Sequence, residues 1–178
     1  MSLKKTVVLV GMMGSGKTAV GKAIAAELQV LFKDSDQEIS IAANRSIAEI
    51  FERDGEPFFR SVEAKVLERL LQGQPCVLST GGGAFMVGNN RTLISKLGIS
   101  VFLNADLELL WERVRSKNTR PLLKTADPKA TLSRIFEGRK DLYALADITV
   151  QTHPNYSIAQ TAEHVIAALR AQPGVVRP

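Results

Sequence analysis

A chain of 178 residues, 45% of them hydrophobic, has the material for one domain with a sizeable core and would cramp two. The formal charge of +5 and pI near 9.5 favour anionic partners, yet Lys and Arg are scattered without a basic tract, which argues against nucleic acid. A single cysteine, Cys76, excludes an internal disulfide, and with two histidines the usual Cys/His zinc site is excluded as well.

Residues 6–10 are apolar and β-branched and read as a buried strand ending at Gly11. A glycine-rich turn follows, and Val20, Ala23, Ile24 and Leu28 then recur at helical spacing from Thr18 to about Gln29. The apolar stretch 30–32 marks another strand end. Helical patterns cover 46–53, 56–71, 107–115, 130–140 and 157–170, with strands at 77–79, 100–103 and 148–151. Strands alternating with helices predict an α/β domain over 1–178, a central parallel sheet of about five strands covered on both faces. The aperiodic segment 117–127, with Pro121 and Arg120, suggests a lid over about 116–127, and the tail 172–178 is expected to be frayed. No secretory pattern opens the chain and no apolar run reaches membrane-spanning length, so the expectation is a soluble cytoplasmic protein with no membrane partner.

The run Gly11-Met-Met-Gly-Ser-Gly-Lys17-Thr18 matches the phosphate-loop pattern and stands in the required context, a strand before and a helix after. Gly14 and Gly16 let backbone amides approach phosphate oxygens, Lys17 brings a point charge to the β and γ groups, and Thr18 is suited to magnesium. The helix that starts there adds its positive end. Nothing in the loop says whether the phosphoryl group goes to water, a protein or a metabolite.

Asp34-Ser-Asp36 puts two carboxylates around one residue, and in an extended segment both face one side. Such a pair suits hydrated magnesium through one member and an acceptor hydroxyl through the other; an acidic turn with Asp36 capping the next helix explains the same spacing. Arg60, three residues before Glu63, suits a bidentate grip on a carboxylate, and equally an ordinary surface ion pair. Gly81-Gly82-Gly83 stands at a strand's carboxyl end, where open α/β sheets bind ligands, or is a plain turn. That strand ends in Ser79-Thr80 rather than in an acidic residue, which leaves Asp34 for the magnesium role. Arg120 suits a lid arginine over phosphates; it and Arg139 also read as solvated charges.

Together these motifs resemble the shikimate kinase family over about residues 6–165. Asp34-x-Asp36, Ser46-Ile-Ala-Glu-Ile-Phe51, Gly55-Glu56, Phe59-Arg60-x-x-Glu63, Gly81-Gly-Gly83 and Arg120-Pro-Leu-Leu123 recur in family order and spacing. The resemblance implies a three-layer P-loop kinase fold with a mobile lid and an acceptor-binding region over about 34–63. It also implies ATP and Mg2+, and transfer of phosphate to the 3-hydroxyl of shikimate by a monomer. ATP would be held by Gly14, Ser15, Gly16, Lys17, Thr18, Ala19 and Arg120, with Lys17, Asp36 and Arg120 catalytic. Shikimate would be held by Asp36, Arg60, Gly82, Gly83 and Arg139, and the metal by Thr18 directly and by Asp34 through water. Phe51 and Phe59 would pack the ring, and Arg113 or Arg115 would lie near the adenine. Where the family often has proline before the Leu-Tyr pair, this chain has Asp141. Tyr143 and Trp111 read as packing residues and Cys76 as a core residue, while His153 and His164 receive no role.

A gluconate-type or nucleoside monophosphate kinase is the nearest alternative, since paired arginines also grip phosphate. Asp36 together with the triple glycine favours a hydroxylated carboxylate. A non-catalytic nucleotide-binding regulator would be expected to lose one of Lys17, Asp36, Arg60 or Arg120, and all four are present.

Overall fold

The computed structural model describes residues 2–116 and 121–177. Its centre is a five-stranded parallel sheet built from β2 (Thr6–Val10), β3 (Phe32–Asp34), β4 (Val77–Ser79), β5 (Gly98–Asn104) and β6 (Ile148–Gln151), in the order β3-β4-β2-β5-β6. Strand β2 pairs with β4 from Val7↔Val77 to Leu9↔Ser79 and with β5 from Thr6↔Gly98 to Val10↔Phe102. Period-two alternation splits its side chains between two cores. Val7 and Leu9 pack with Ile24 and Leu28 of α1 (Lys17–Leu28) and with Val165 and Leu169 of α7 (Ile158–Ala171). Val8 and Val10 face a second core containing Ile39, Ile50, Leu67, Ile94, Leu110 and Leu132. These come from α2 (Ser35–Ala43), α3 (Ile47–Gln72), α4 (Gly88–Leu97), α5 (Leu107–Val114) and α6 (Pro128–Tyr143). The expected α/β architecture with about five parallel strands is thus the observed one.

From β2 the chain passes to β3 at one edge, and from β4 it crosses back over β2 to β5. Connections leave β2 and β4 in opposite directions, so the crevice beyond their carboxyl ends, between the loops after each, is where such a sheet takes a ligand. Those two loops are 11–16 and 80–83.

Two helices were not apparent from the pattern. Helix α4 opens on Gly-Asn-Asn and buries only Asn90 and Ile94; it is tied down by Asn90 donating to the Ala84 carbonyl and by Arg91 donating to those of Phe85 and Met86. Helix α2 follows β3 with no intervening turn, because Asp34 ends the strand and caps the helix, accepting from the amides of Asp36 and Gln37. The capping residue is therefore Asp34 and not Asp36. The two helical patterns around 46–71 join into α3 across Gly55, whose φ of 79° breaks the helix and redirects it at Pro57.

The expected frayed tail is corrected. Val175 is buried, its carbonyl accepts from the Lys4 amide at 2.8 Å, and β7 (Val176–Arg177) pairs antiparallel with β1 (Ser2–Leu3). Burial of Val175 with Leu3 and Leu169 offsets the entropy of ordering this end. The segment expected as a lid includes 117–120, which lie outside the described residues; Arg120 is among them. After it, Pro121–Leu123 forms a 3₁₀ turn and Asp127 caps α6 through the Ala130 amide. No helix among the described residues is long and apolar enough to cross a membrane.

Candidate active site

The loop between β2 and α1 holds three glycines at positive φ, Gly11 at 143°, Gly14 at 82° and Gly16 at 96°. At Gly14 the requirement is double: a β-carbon there would also come within 2.7 Å of Val114 Cγ1 and 3.3 Å of the Leu110 carbonyl, so α5 packs directly on the loop. Gly16 caps α1 without a side-chain hydrogen bond, and no acidic residue lies in the first turn. The helix amides and their positive end are therefore left for an anion, which is the fit expected of a bound triphosphate. Lys17 Nζ donates to the carbonyls of Gly11 (2.8 Å) and Met12 (2.9 Å), curling its charge over the loop. Ser15 differs from its neighbours: its hydroxyl is buried without a partner among the described residues, and its amide donates to the Met12 carbonyl.

A cavity of about 490 Å³ opens over this loop and is lined by Gly14 through Ala19, by Asp34 and Asp36, and by Ser79 through Gly82. The extended geometry that was to align Asp34 and Asp36 does not occur, since Ser35 already begins α2; both carboxylates nonetheless reach the same cavity. Asp34 Oδ2 accepts from Thr18 Oγ1 at 3.5 Å, while its Oδ1 is occupied in capping. A hydroxyl on the phosphate-loop helix and a carboxylate at the end of the neighbouring strand are the donor set a magnesium ion bound partly through water and phosphate requires. Among the described residues no group of three or more His, Cys, Asp or Glu side chains stands together to hold a metal ion.

The triple glycine brings the remaining residues together. Its bare backbone is enclosed so closely that a β-carbon on Gly81 would stand 2.7 Å from Asp36 Oδ1, and one on Gly82 3.3 Å from Arg139 Nη1. A β-carbon on Gly83 would collide with Arg60 Nη2 and lie 2.9 Å from Nη1. Asp36, Arg139 and Arg60, from α2, α6 and α3, therefore converge on the bare backbone of Gly81, Gly82 and Gly83 in turn. The Asp141 departure from the family pattern leaves Arg139 on this side of α6.

Arg60 donates to Glu63 Oε2 at 2.8 Å and to Glu56 Oε1 at 3.3 Å, with its guanidinium 5.2 Å above the Phe59 ring. Its side chain is 28% exposed and that of Glu63 only 2%, so this is not a surface ion pair. Burial pushes the Glu63 carboxyl up against the lowering effect of Arg60, and it works against the Arg60 charge, which Glu63 and Glu56 more than restore. Phe59 is buried, and Phe51 packs on it at 4.6 Å between ring centres with its own face partly exposed.

Of Arg113 and Arg115, only Arg113 reaches the cavity. Arg113 Nη1 donates to the Gly14 and Ser15 carbonyls at 3.2 and 3.5 Å and lines the cavity, its pKa lowered by burial. Arg115 turns outward to an exposed pair with Glu112. Thr152, Tyr156, Ile158 and Thr161 complete this wall, and none was apparent from the sequence. Their approach depends on α7 folding back against α1, which no local pattern encodes. The two histidines left without a role flank this wall: the ring of Tyr156 lies 4.8 Å from His153 and 4.9 Å from His164.

A protein-family model for shikimate kinase matches residues 13–170. The chain is 59% identical to the shikimate kinases of Ruegeria pomeroyi and Cereibacter sphaeroides, over 98% of its length and 90% and 87% of theirs. Among solved structures, a shikimate kinase from Acinetobacter baumannii in complex with shikimate superposes with a TM-score of 0.87 at 35% identity, covering 94% of this chain and 93% of that one. With a phosphate loop over a parallel sheet, a Thr18–Asp34 pair beside it and near full-length similarity to these enzymes, the chain belongs to the shikimate kinase family, whose members use ATP and Mg2+.

Proposed function

We propose that this chain transfers the γ-phosphoryl group of ATP to the 3-hydroxyl of shikimate, giving shikimate 3-phosphate and ADP on the route to chorismate and the aromatic amino acids. The observation that carries this reading is the convergence of Asp36, Arg60 and Arg139 on the triple glycine beside the phosphate loop. Two arginines suit a carboxylate, and a carboxylate opposite them suits ring hydroxyls. We further propose that the enzyme acts as a cytoplasmic monomer.

In this reading the amides of the loop and of α1 cradle the phosphates through Gly14, Ser15, Gly16, Thr18 and Ala19, and Lys17 directs its charge at the β- and γ-phosphoryl oxygens. Thr18 would hold Mg2+ directly and Asp34 would hold it through water, and the ion would supply positive charge to offset that of the phosphates. Arg60 and Arg139 fix the acceptor carboxylate, Gly82 and Gly83 allow its ring to come close, and Phe59 with Phe51 meets the apolar face. Asp36 accepts the hydrogen bond of the reacting hydroxyl, fixes its oxygen for attack on the γ-phosphorus, and takes up its proton as the new P–O bond forms. Arg113 closes the nucleoside end. Arg120, outside the described residues, is assigned the role of stabilising charge on the transferring group.

The direct test is coupled ADP release from purified protein and MgATP, without acceptor and with shikimate, gluconate, AMP or CMP. ADP release is expected with shikimate alone. Turnover with another acceptor would discard the substrate assignment, and silence with all four despite measurable ATP binding would favour a regulator.

Gly83→Ala is a sharper probe of the acceptor side. Gly83 has φ of −91° and ψ of −16°, a conformation alanine adopts without strain, so the added methyl acts only by displacing the Arg60 guanidinium. Displacing a positioning group by an ångström lowers kcat/KM for shikimate roughly 10- to 100-fold. The KM for ATP is expected to stay within about twofold, since the three atoms nearest the added methyl all belong to Arg60; steady-state kinetics varying each substrate reads both.

A further inference from the structure

Tyr143 reads from the sequence as a packing residue, and its ring does pack. The residue is 1% exposed, with Phe102 stacked at 5.3 Å and 20° and Phe85 at 6.5 Å and 12°. Packing accounts for the ring and not for the hydroxyl, which in a core requires a partner. That hydroxyl donates to the Gly82 carbonyl at 2.5 Å, bridging α6 to the glycine loop across 61 positions of sequence. Having given its proton to Gly82, the phenolic oxygen presents only lone pairs on its other side. Arg139 crowds the same glycine: a β-carbon on Gly82 would stand 3.5 Å from the phenolic oxygen and 3.3 Å from Arg139 Nη1. Burial pushes the phenol pKa up while Arg139 draws it down, so the hydroxyl remains a neutral donor at physiological pH.

Spacing explains why this residue does the work. Tyr143 follows Arg139 by four positions, one turn along α6, so the two side chains share a helix face. Arg139 is half-buried at that face, and Gly82 has no side chain with which to hold its own place. A long arginine side chain loses rotamer freedom when it grips a ligand, and orienting it beforehand removes that loss from the binding step. We infer that Tyr143 is a positioning residue for the acceptor site: its ring is anchored in the aromatic core, Gly82 orients its hydroxyl, and the hydroxyl in turn holds the Arg139 guanidinium ready for an anionic acceptor. This rests on the reading of the acceptor site given above and assigns Tyr143 a part in it that does not involve touching the substrate.

The test is Tyr143→Phe, which keeps the ring stack with Phe102 and Phe85 and removes only the oxygen, made also in an Arg139→Ala background and assayed on the full chain with shikimate and MgATP varied independently. Tyr143→Phe is expected to raise the KM for shikimate about tenfold, as loss of a hydrogen bond to a charged group does, with the KM for ATP unchanged. In the Arg139→Ala background the same change is expected to add less than about twofold, because its effect passes through the arginine. A general loosening of the core would instead raise both KM values or give equal effects in the two backgrounds, and either result would overturn the inference. An unchanged shikimate KM in Tyr143→Phe overturns it too, while wild-type turnover of shikimate leaves the functional reading intact. If the wild-type protein does not phosphorylate shikimate, both fall together. Should Tyr143→Phe fail to fold, Arg139→Lys leaves the aromatic core untouched; it keeps the charge but loses the fork that meets hydroxyl and ligand at once. A wild-type shikimate KM for Arg139→Lys would then count against the arrangement, and a rise approaching that of Arg139→Ala would support it.

Discussion

Lys17→Ala is expected to lower kcat with shikimate and saturating MgATP by roughly 10²- to 10³-fold, the usual cost of removing one preorganised donor from a transferring group. Lys17 stands at the start of α1, where Gly14 and Gly16 turn the loop backbone over the cavity, and its Nζ is held by the Gly11 and Met12 carbonyls. A charge tethered to the loop itself is delivered close to the phosphate chain without a long side chain having to search for it. Fold stability is expected to change little, since Lys17 is only partly buried and the loop's conformation is set by its glycines. Affinity for MgATP should fall less than kcat, because the loop amides and the end of α1 remain. Single-turnover measurement of the chemical step, beside nucleotide titration, separates the two; a kcat within a few-fold of wild type would remove Lys17 from the transfer step.

Arg60→Ala is expected to remove acceptor recognition and leave nucleotide binding nearly untouched, with kcat/KM for shikimate falling by roughly two to three orders of magnitude. The change does two things at once. It withdraws one arm of the carboxylate clamp, and it leaves Glu63, 2% exposed, without the guanidinium that bonds it at 2.8 Å. Burial already drives the Glu63 carboxyl upward, so without Arg60 it is expected to bind a proton and remain neutral, at a cost in stability of about 1–3 kcal/mol. Adding Glu63→Gln to Arg60→Ala should recover part of that stability and none of the acceptor affinity, since an amide needs no counter-charge but offers no cation. Thermal unfolding follows the first effect and shikimate-dependent kinetics the second. Equal loss of ATP and shikimate affinity in Arg60→Ala would show that Arg60 supports the whole site rather than the acceptor.

Both experiments concern residues that stand out in the linear chain, and the reason lies in how local their signals are. The phosphate loop is contiguous, and every requirement for it, strand, glycines, lysine and helix, falls within residues 6–29. Helices α1, α3, α5, α6 and α7 declare themselves by apolar spacing, because each buries one face against a sheet whose strands alternate between two cores. Helix α4 does not, because it buries little and is held by hydrogen bonds to carbonyls of the preceding turn. The C-terminal pairing of β7 with β1 is equally silent, since it joins the two ends of the chain.

The sequence by itself determined the chemistry: a phosphate loop, two carboxylates, a set of arginines and a triple glycine, all recognisable as residue types at fixed spacing. Tertiary structure decided how they are shared out. Asp34, beside Thr18 as its magnesium role required, also takes the helix cap that Asp36 was spaced to take, because the chain enters α2 directly from β3. Arg113 faces the loop and Arg115 the solvent, because the helix turns two neighbours in sequence to different sides. Tyr143 becomes more than packing only where α6 meets the glycine loop from 61 residues away. Periodicity and spacing are properties of neighbours along the chain, whereas the partner of a particular carboxylate, guanidinium or hydroxyl is set by which elements the sheet order brings side by side.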